Sequence, residues 1–170
     1  MTIVTTAAIV AGSIAVAAAG TLLLPRNVEV ARSAHVALAP EDVMALATST
    51  EGFQSFNPYL TADPELKIAP FGPAAGVGAG FAFDGKDGKG TQTISEITET
   101  SVTYAIDLGA MGQPTQIIEA VAAKGGSTVT WTVQSDLGMN PVFRVFGLFM
   151  DGMLGKTYEQ GLANMNDAAV

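Results

Sequence analysis

Hydrophobic and polar positions divide the chain into an uncharged opening stretch and a longer part with short alternating patterns. Residues 3–24 are almost entirely Ile, Val, Leu, Ala and Gly, and no charged side chain precedes Arg26. As a helix, this stretch at about 1.5 Å per residue spans roughly 33 Å, close to the ~30 Å hydrocarbon core of a bilayer. The pattern predicts a transmembrane anchor at residues 1–25, followed by one domain at residues 26–170.

A cleavable secretory signal is the main alternative for this stretch, because three alanines at residues 17–19 precede Gly20 and resemble a small-residue cleavage site. The stretch lacks a positive n-region, however, and is longer than the usual apolar region of about 7–15 residues. A retained single-pass anchor is therefore favoured. Arg26 and Arg32 follow the anchor, so the positive-inside rule favours a cytoplasmic domain on a bacterial inner membrane.

Small residues recur along the predicted anchor at helical spacing. They are Ala8 and Gly12 on one stripe and Ala11, Ala15 and Ala19 on a neighbouring one. Small residues four apart allow two helix backbones to approach closely in lipid. The stripes indicate packing against a helix of a membrane-protein partner. The alternative is that the alanine-rich anchor is only a hydrophobic segment and packs against no partner helix.

The domain begins with residues 28–36, which alternate apolar and polar side chains as a half-buried strand does. Pro40, followed by Glu41 and Asp42, then predicts the start of a helix to about Ala47, since proline and acidic residues suit the first turn. Residues 51–59 predict a second short helical segment.

Residues 66–136 change to alternating strands separated by tight turns. The positions expected to share a strand face are Val77, Ala79, Phe81 and Phe83, then Val102, Tyr104, Ile106 and Leu108, then Val129, Trp131 and Val133. The pattern predicts an antiparallel meander with one buried face. Residues 141–166 carry a broad apolar stripe at helical spacing and predict a long helix packed against the sheet, hence an α+β fold.

Charge and composition narrow the functions that this domain can perform. The net charge of −8 lies entirely beyond residue 25, which makes nucleic-acid binding improbable because phosphate backbones need clustered Lys and Arg. The absence of cysteine excludes disulfides, thiolate metal sites and cysteine nucleophiles. We therefore predict no cofactor and no metal.

Candidate catalytic groups are few. His35 is the only histidine, and its parity in the first strand places it on the solvent side. Asp136, Asp151 and Glu159 are possible acids, but surface charges and a strand-end cap explain them equally well. No HExxH, GxSxG or paired-carboxylate motif is present.

Several segments together resemble a known family. They are Ala39-Pro40-Glu41-Asp42-Val43, Gly76-Val77-Gly78-Ala79, Gly88-Lys89-Gly90, Thr128-Val129-Thr130-Trp131-Thr132, and the C-terminal helix from Gly147 to Asn164. With the apolar anchor, these segments resemble the membrane-anchored polyketide cyclase/dehydrase-like (SRPBCC) branch of the START/Bet v 1 superfamily. The resemblance implies a helix-grip fold, in which an antiparallel sheet wraps around a long C-terminal helix.

Such a fold implies a cavity between sheet and helix that can hold an apolar molecule such as a lipid, quinone or polyketide. The candidate lining residues are Phe81, Phe83, Tyr104, Ile106, Trp131, Val133, Phe146, Met150, Met153 and Leu154. Aromatic and methionine side chains suit a pliable pocket, but the same residues could fill a closed core. Three functions stay open: a non-catalytic membrane-tethered binding module, an accessory subunit docked on a larger membrane complex through its anchor and C-terminal helix, and a cyclase or dehydrase enzyme.

Overall fold

The computed structural model describes residues 20–168, which form one antiparallel sheet and four α-helices. The strands are β1 (Asn27–Val36), β2 (Lys67–Phe71), β3 (Gly80–Gly85), β4 (Gly88–Ile97), β5 (Ser101–Asp107), β6 (Thr115–Ala123) and β7 (Gly126–Asp136). Their order in the sheet is β1-β7-β6-β5-β4-β3-β2, so β2 to β7 form a meander and the first strand pairs with the last.

The helices are α1 (Pro40–Ala47), α2 (Thr50–Phe56), α3 (Pro58–Ala62) and α4 (Pro141–Asp167). Three of them begin with proline, whose missing N–H costs nothing at the first helical position. The side chain of Asn140 accepts the backbone N–H of Val142 at 2.9 Å and caps α4. The short helical segment expected at residues 51–59, with Asn57-Pro58 as its stop, ends at Phe56 as α2; Asn57 is extended and caps a further short helix, α3.

Helix α4 packs against β1 and β7 and against α2 and α3, while α1 packs against β5 and β6, so that the helices together cover the inner face of the sheet. The core lies between them and contains Val30, Phe56, Tyr104, Ile118, Val129, Trp131, Leu162 and Met165, all buried. The α+β helix-grip arrangement expected from the sequence is confirmed.

The prediction that Val77 belongs to the strand face of Phe81 was wrong. Strand β3 begins at Gly80, and Val77 is 61% exposed in the preceding loop. Gly76 and Gly78 flank it with φ values of 88° and 89°, which other residues rarely adopt, so the glycine pattern builds a loop instead of a strand.

Between residues 20 and 168, no helix is long and apolar enough to cross a membrane. Most of the predicted anchor lies at residues 1–19, outside the described residues, as do Ala8, Ala11, Gly12, Ala15 and Ala19. The anchor and its partner helix therefore stay predictions.

Candidate ligand-binding site

The register of the sheet aligns inward side chains from five strands in one row. The row consists of Val30, Val133, Gln116, Tyr104 and Ile94, which face one another across β1, β7, β6, β5 and β4. Alternate residues of a strand point to the same face, so this row and the next one, which contains Trp131 and Ile118, form the floor beneath the helices. The candidate site is this floor and the side chains that cover it.

Aromatic rings fill most of the space above the floor. Phe53 of α2 lies with its ring centre 4.9 to 5.9 Å from the rings of Phe56, Phe81, Tyr104 and Trp131. On the other side, Trp131 stacks against Tyr158 of α4 at 5.0 Å and 8°. Edge-to-face and stacked rings at these distances stabilise one another beyond simple burial. The interior is therefore a packed aromatic cluster.

A cavity of about 10 Å³ remains beside Phe53, bordered by Phe81, Gln92, Ile94 and Tyr104. A space of that size is at the lower limit for one water molecule. Small-molecule sites usually need roughly 300–1,000 Å³, so the interior is closed to such a ligand in this conformation.

An open groove lies next to this closed interior. Its volume is about 490 Å³, and it is lined by α2 residues Thr50, Glu51 and Gln54 and by the segment from Pro70 to Ala74. Thr50 borders both the groove and the small cavity.

Four buried side-chain hydrogen-bond donors of the described chain lack a partner: Gln54 Nε2, beside the groove, and three donors in the core. Within residues 20–168, nothing accepts from the buried Gln92 Nε2, Gln116 Nε2 or Trp131 Nε1. The Oε1 atom of Gln116 does accept from the Tyr158 hydroxyl, at 3.4 Å. An unsatisfied buried polar group costs about 1–3 kcal/mol, so such groups need an explanation when they face a binding site.

The predicted lining residues separate into three groups. Phe81, Tyr104, Trp131, Val133 and Met150 are buried in the core. Phe83 and Leu154 are half-buried and pack against the core, and Ile106 is half-buried on β5. By contrast, Phe146 and Met153 are 47% and 55% exposed.

The exposure of Phe146 and Met153 differs from the expected position against the sheet. The buried face of α4 is formed by Gly147, Met150, Gly155, Tyr158 and their neighbours. Phe146 and Met153 fall on the opposite face of the helix, which points away from the core. The structure does not place them in the candidate site.

Sequence reasoning missed four residues of the site: Phe53, Tyr158, Gln92 and Gln116. The two glutamines had a usable signal, since Gln116 has the same strand parity as the buried Ile118, and Gln92 the same parity as the buried Ile94. Their polarity made them resemble solvent-facing positions.

The acidic candidates lie outside the site, on the surface. Arg26 donates to Asp136 through Nε at 2.7 Å and through Nη2 at 2.5 Å, which lowers the pKa of that carboxyl to about 2. Asp151 and Glu159 both accept hydrogen bonds from Arg32 across β1 and α4. The hydrogen bonds from Arg32 lower the pKa of Asp151 as well.

The other titratable groups also offer little for proton transfer inside the core. His35 lies on the exposed face of β1, with Nε2 3.1 Å from the carbonyl of Lys124. Burial raises the pKa of Tyr104 and of Tyr158, so both phenols stay neutral. In the described part of the chain, no cluster of His, Cys, Asp and Glu is arranged to hold a metal ion. What the site offers chemically is hydrogen-bond donation from Gln92, Gln116 and Trp131, beside closely packed aromatic rings.

Several solved structures have a similar fold. The di-domain ARO/CYC StfQ from the steffimycin biosynthetic pathway has 11% identity and a TM-score of 0.61, covering 83% of this chain. This chain spans 50% of that di-domain protein. A protein from Thermobifida fusca has 18% identity and a TM-score of 0.62, covering 81% of this chain and 90% of its own. Ara h 8.0201 has 14% identity and a TM-score of 0.59, covering 82% and 97%.

At these identities the structural likeness shows the fold alone. A comparison with curated proteins found no match. A family model described as "Polyketide cyclase / dehydrase and lipid transport" matches residues 27–170, which is the whole domain without the predicted anchor. The chain therefore belongs to the polyketide cyclase/dehydrase and lipid transport family.

Proposed function

We propose that this domain is a non-catalytic module that binds an apolar molecule carrying hydrogen-bond acceptors, such as a quinone, polyketide or lipid. The observation that carries the proposal is the set of unpaired donors, Gln92 Nε2, Gln116 Nε2 and Trp131 Nε1, buried on the inner face of the sheet. A ligand with carbonyl oxygens would accept from these donors and remove their desolvation cost. The family description, which includes lipid transport, is consistent with this chemistry.

Binding requires the interior to open, because the cavity of about 10 Å³ cannot hold such a molecule. We infer that α2 is the moving element. It has seven residues, carries Phe53 into the core, and presents Thr50 to both the cavity and the groove. Its outward movement would turn the filled core and the groove into one site.

We further infer that residues 3–21 anchor this module in a bilayer, with the domain on the cytoplasmic side of a bacterial inner membrane; residues 22–24, predicted as the end of the anchor helix, form a turn and a bend that contact the domain. The uncharged length of the segment and the arginines that follow it support this arrangement. Such an anchor would keep the binding site next to the lipid bilayer, in which apolar ligands dissolve. Carbonate extraction of membranes tests the anchor, and release of the chain into the soluble fraction would refute it.

Trp131 is the only tryptophan and is fully buried in the site, so its fluorescence is a direct test of ligand binding. We expect saturable quenching when a short-chain ubiquinone analogue is added to the full chain in mild detergent. Gln116→Leu should weaken binding about tenfold, because a hydrogen bond contributes roughly 1–1.5 kcal/mol.

Gln113→Leu is the matched control, since Gln113 is exposed in the loop before β6. Non-saturable quenching, or equal affinity of the two variants, would contradict the proposal. A parallel titration with a saturated alkane, which has no acceptor, should not distinguish Gln116→Leu from the parent chain.

The filled core favours a second candidate function, that of an accessory subunit in a membrane complex. A domain with a closed interior acts through its surface, and the small-residue face at Ala8, Ala11, Gly12, Ala15 and Ala19 would supply a docking helix. Tagged chain purified from its native membrane in mild detergent should then retain a stoichiometric partner. Gly12→Leu should release that partner. Val10→Leu is the control, because Val10 lies off the small-residue face, and it should retain the partner. Equal retention by the two variants would exclude the accessory function.

A further inference from the structure

The first half of α4 carries apolar side chains on its outer face as well as on its buried face. Val142, Phe146, Phe149 and Met153 recur at spacings of four, three and four residues and are all exposed. Such spacing places them on one side of a helix. A helix that is apolar all round is usually buried or in contact with a membrane, and among residues 20–168 the outer side of this helix is left exposed.

The outer stripe continues onto neighbouring segments. The exposed apolar residues of α4 and of the two segments next to its start form what we call the outer apolar face: Leu22, Leu23, Met139, Val142, Val145, Phe146, Leu148, Phe149 and Met153. No charged side chain belongs to it. From Lys156 onwards, the same side of α4 becomes polar, so the face is confined to the end of the helix nearest residue 20.

A buried arginine holds the start of the described chain against this end of α4. Arg144 donates from Nη1 to the carbonyls of Leu22 and Leu24, both at 2.8 Å, and from Nε to the carbonyl of Gly138 at 2.9 Å. The side chain is buried despite its charge. Charge-assisted hydrogen bonds of this kind are among the stronger ones in proteins. The chain therefore leaves the domain beside the outer apolar face.

We propose that the outer apolar face rests in the acyl boundary of a lipid bilayer. This inference rests on the proposed anchoring of residues 3–21. Residues 1–19 are uncharged and largely apolar, and they join the domain at Gly20, next to Leu22 and Leu23. If that segment enters a bilayer, the face at its exit meets the same bilayer, and its uncharged side chains insert without desolvating a charge.

The chain contains no cysteine, so single labelling sites can be introduced cleanly. Phe149→Cys and Met153→Cys, each carrying a nitroxide, report on the outer apolar face. Val121→Cys is the matched control, because Val121 is apolar and 51% exposed on the outer side of the sheet. The full chain is reconstituted into phosphatidylcholine liposomes, floated, and measured for collision with oxygen, which partitions into lipid, and with a water-soluble nickel chelate. Emission of Trp131 verifies that each labelled chain is folded.

We expect the ratio of oxygen to nickel collisions to be severalfold higher at positions 149 and 153 than at position 121. If the chain does not float with the liposomes, the proposed anchoring is refuted, and this inference is refuted as well. A floating chain with all three sites open to nickel refutes the inference alone. Sites 149 and 153 shielded from both reagents would mean that protein covers the face, either a second copy or residues 1–19, and would also overturn the proposal.

Discussion

Replacing Gly161 with alanine tests whether the core is packed as described. Gly161 lies in α4 directly beneath the indole of Trp131. An added Cβ would overlap Cζ3 of the ring and lie 3.1 Å from Cη2 and 3.2 Å from Cε3. Trp131 is fully buried and stacked on Tyr158, so the ring has little room to move aside.

Two opposing effects determine how much Gly161→Ala changes the free energy of unfolding. Alanine in place of glycine stabilises a helix by about 1 kcal/mol, whereas overpacking a core costs about 1–3 kcal/mol. The overlap falls on a rigid ring, so we expect an overpacking cost near the upper end of that range. The free energy of unfolding should therefore fall by about 1–2 kcal/mol in total. Gly152→Ala is the control, since within the described part of the chain nothing lies within 4 Å of its added Cβ. It should gain up to about 1 kcal/mol, so the two variants should differ by about 2–3 kcal/mol.

Urea unfolding of the full chain in mild detergent, followed by the emission of Trp131, measures both variants with the same signal. The free energy of unfolding should fall for Gly161→Ala and rise for Gly152→Ala. If Gly161→Ala is as stable as Gly152→Ala, the indole does not lie on Gly161, and the account of the filled core is wrong.

Three further substitutions probe separate parts of the domain. Tyr104→Phe removes a buried hydrogen bond of 2.5 Å from the Tyr104 hydroxyl to the carbonyl of Ala47. In urea titrations the free energy of unfolding should fall by about 1–2 kcal/mol, and no change would mean that the hydrogen bond is not made. Asp136 has its pKa lowered from 3.8 to about 2 by Arg26, so its contribution to stability is present above pH 4 and is lost as the pH falls through 2. Asp136→Asn should therefore lower the urea midpoint at pH 7 and lose less stability than the parent between pH 4 and pH 2; parallel acid profiles would refute this. His35→Ala removes an exposed side chain and should alter stability by less than about 0.5 kcal/mol and leave ligand-induced quenching of Trp131 unchanged; a weaker affinity would assign His35 a role in binding.

Much of the fold could be predicted from the sequence because local patterns and tertiary packing agree. The alternation at residues 28–36 became β1 (Asn27–Val36), and proline marked the starts of α1 at Pro40 and of α4 at Pro141. The two periods, of two residues in strands and 3.6 in helices, report which face is buried when only one face is apolar. These elements are therefore fixed by simple amphipathic patterns.

The candidate site could be predicted only in part, because its decisive residues break those patterns. In α4 both faces of the first turns are apolar, so periodicity could not separate the buried Met150 from the exposed Phe146 and Met153. In the sheet, Gln92 and Gln116 are polar residues at inward positions, which alternation assigns to solvent. Departures from the local pattern are where a functional role is most often found.

Because β1 pairs with β7, the sheet is complete only after the end of β7 has been synthesised, about 100 residues after the end of β1. At roughly 5–20 residues per second, that interval is about 5–20 s. During it, the backbone groups of β1 lack their native partner, and an unpaired strand is a template for pairing with other chains. Aggregation during synthesis is therefore a hazard that this strand order creates.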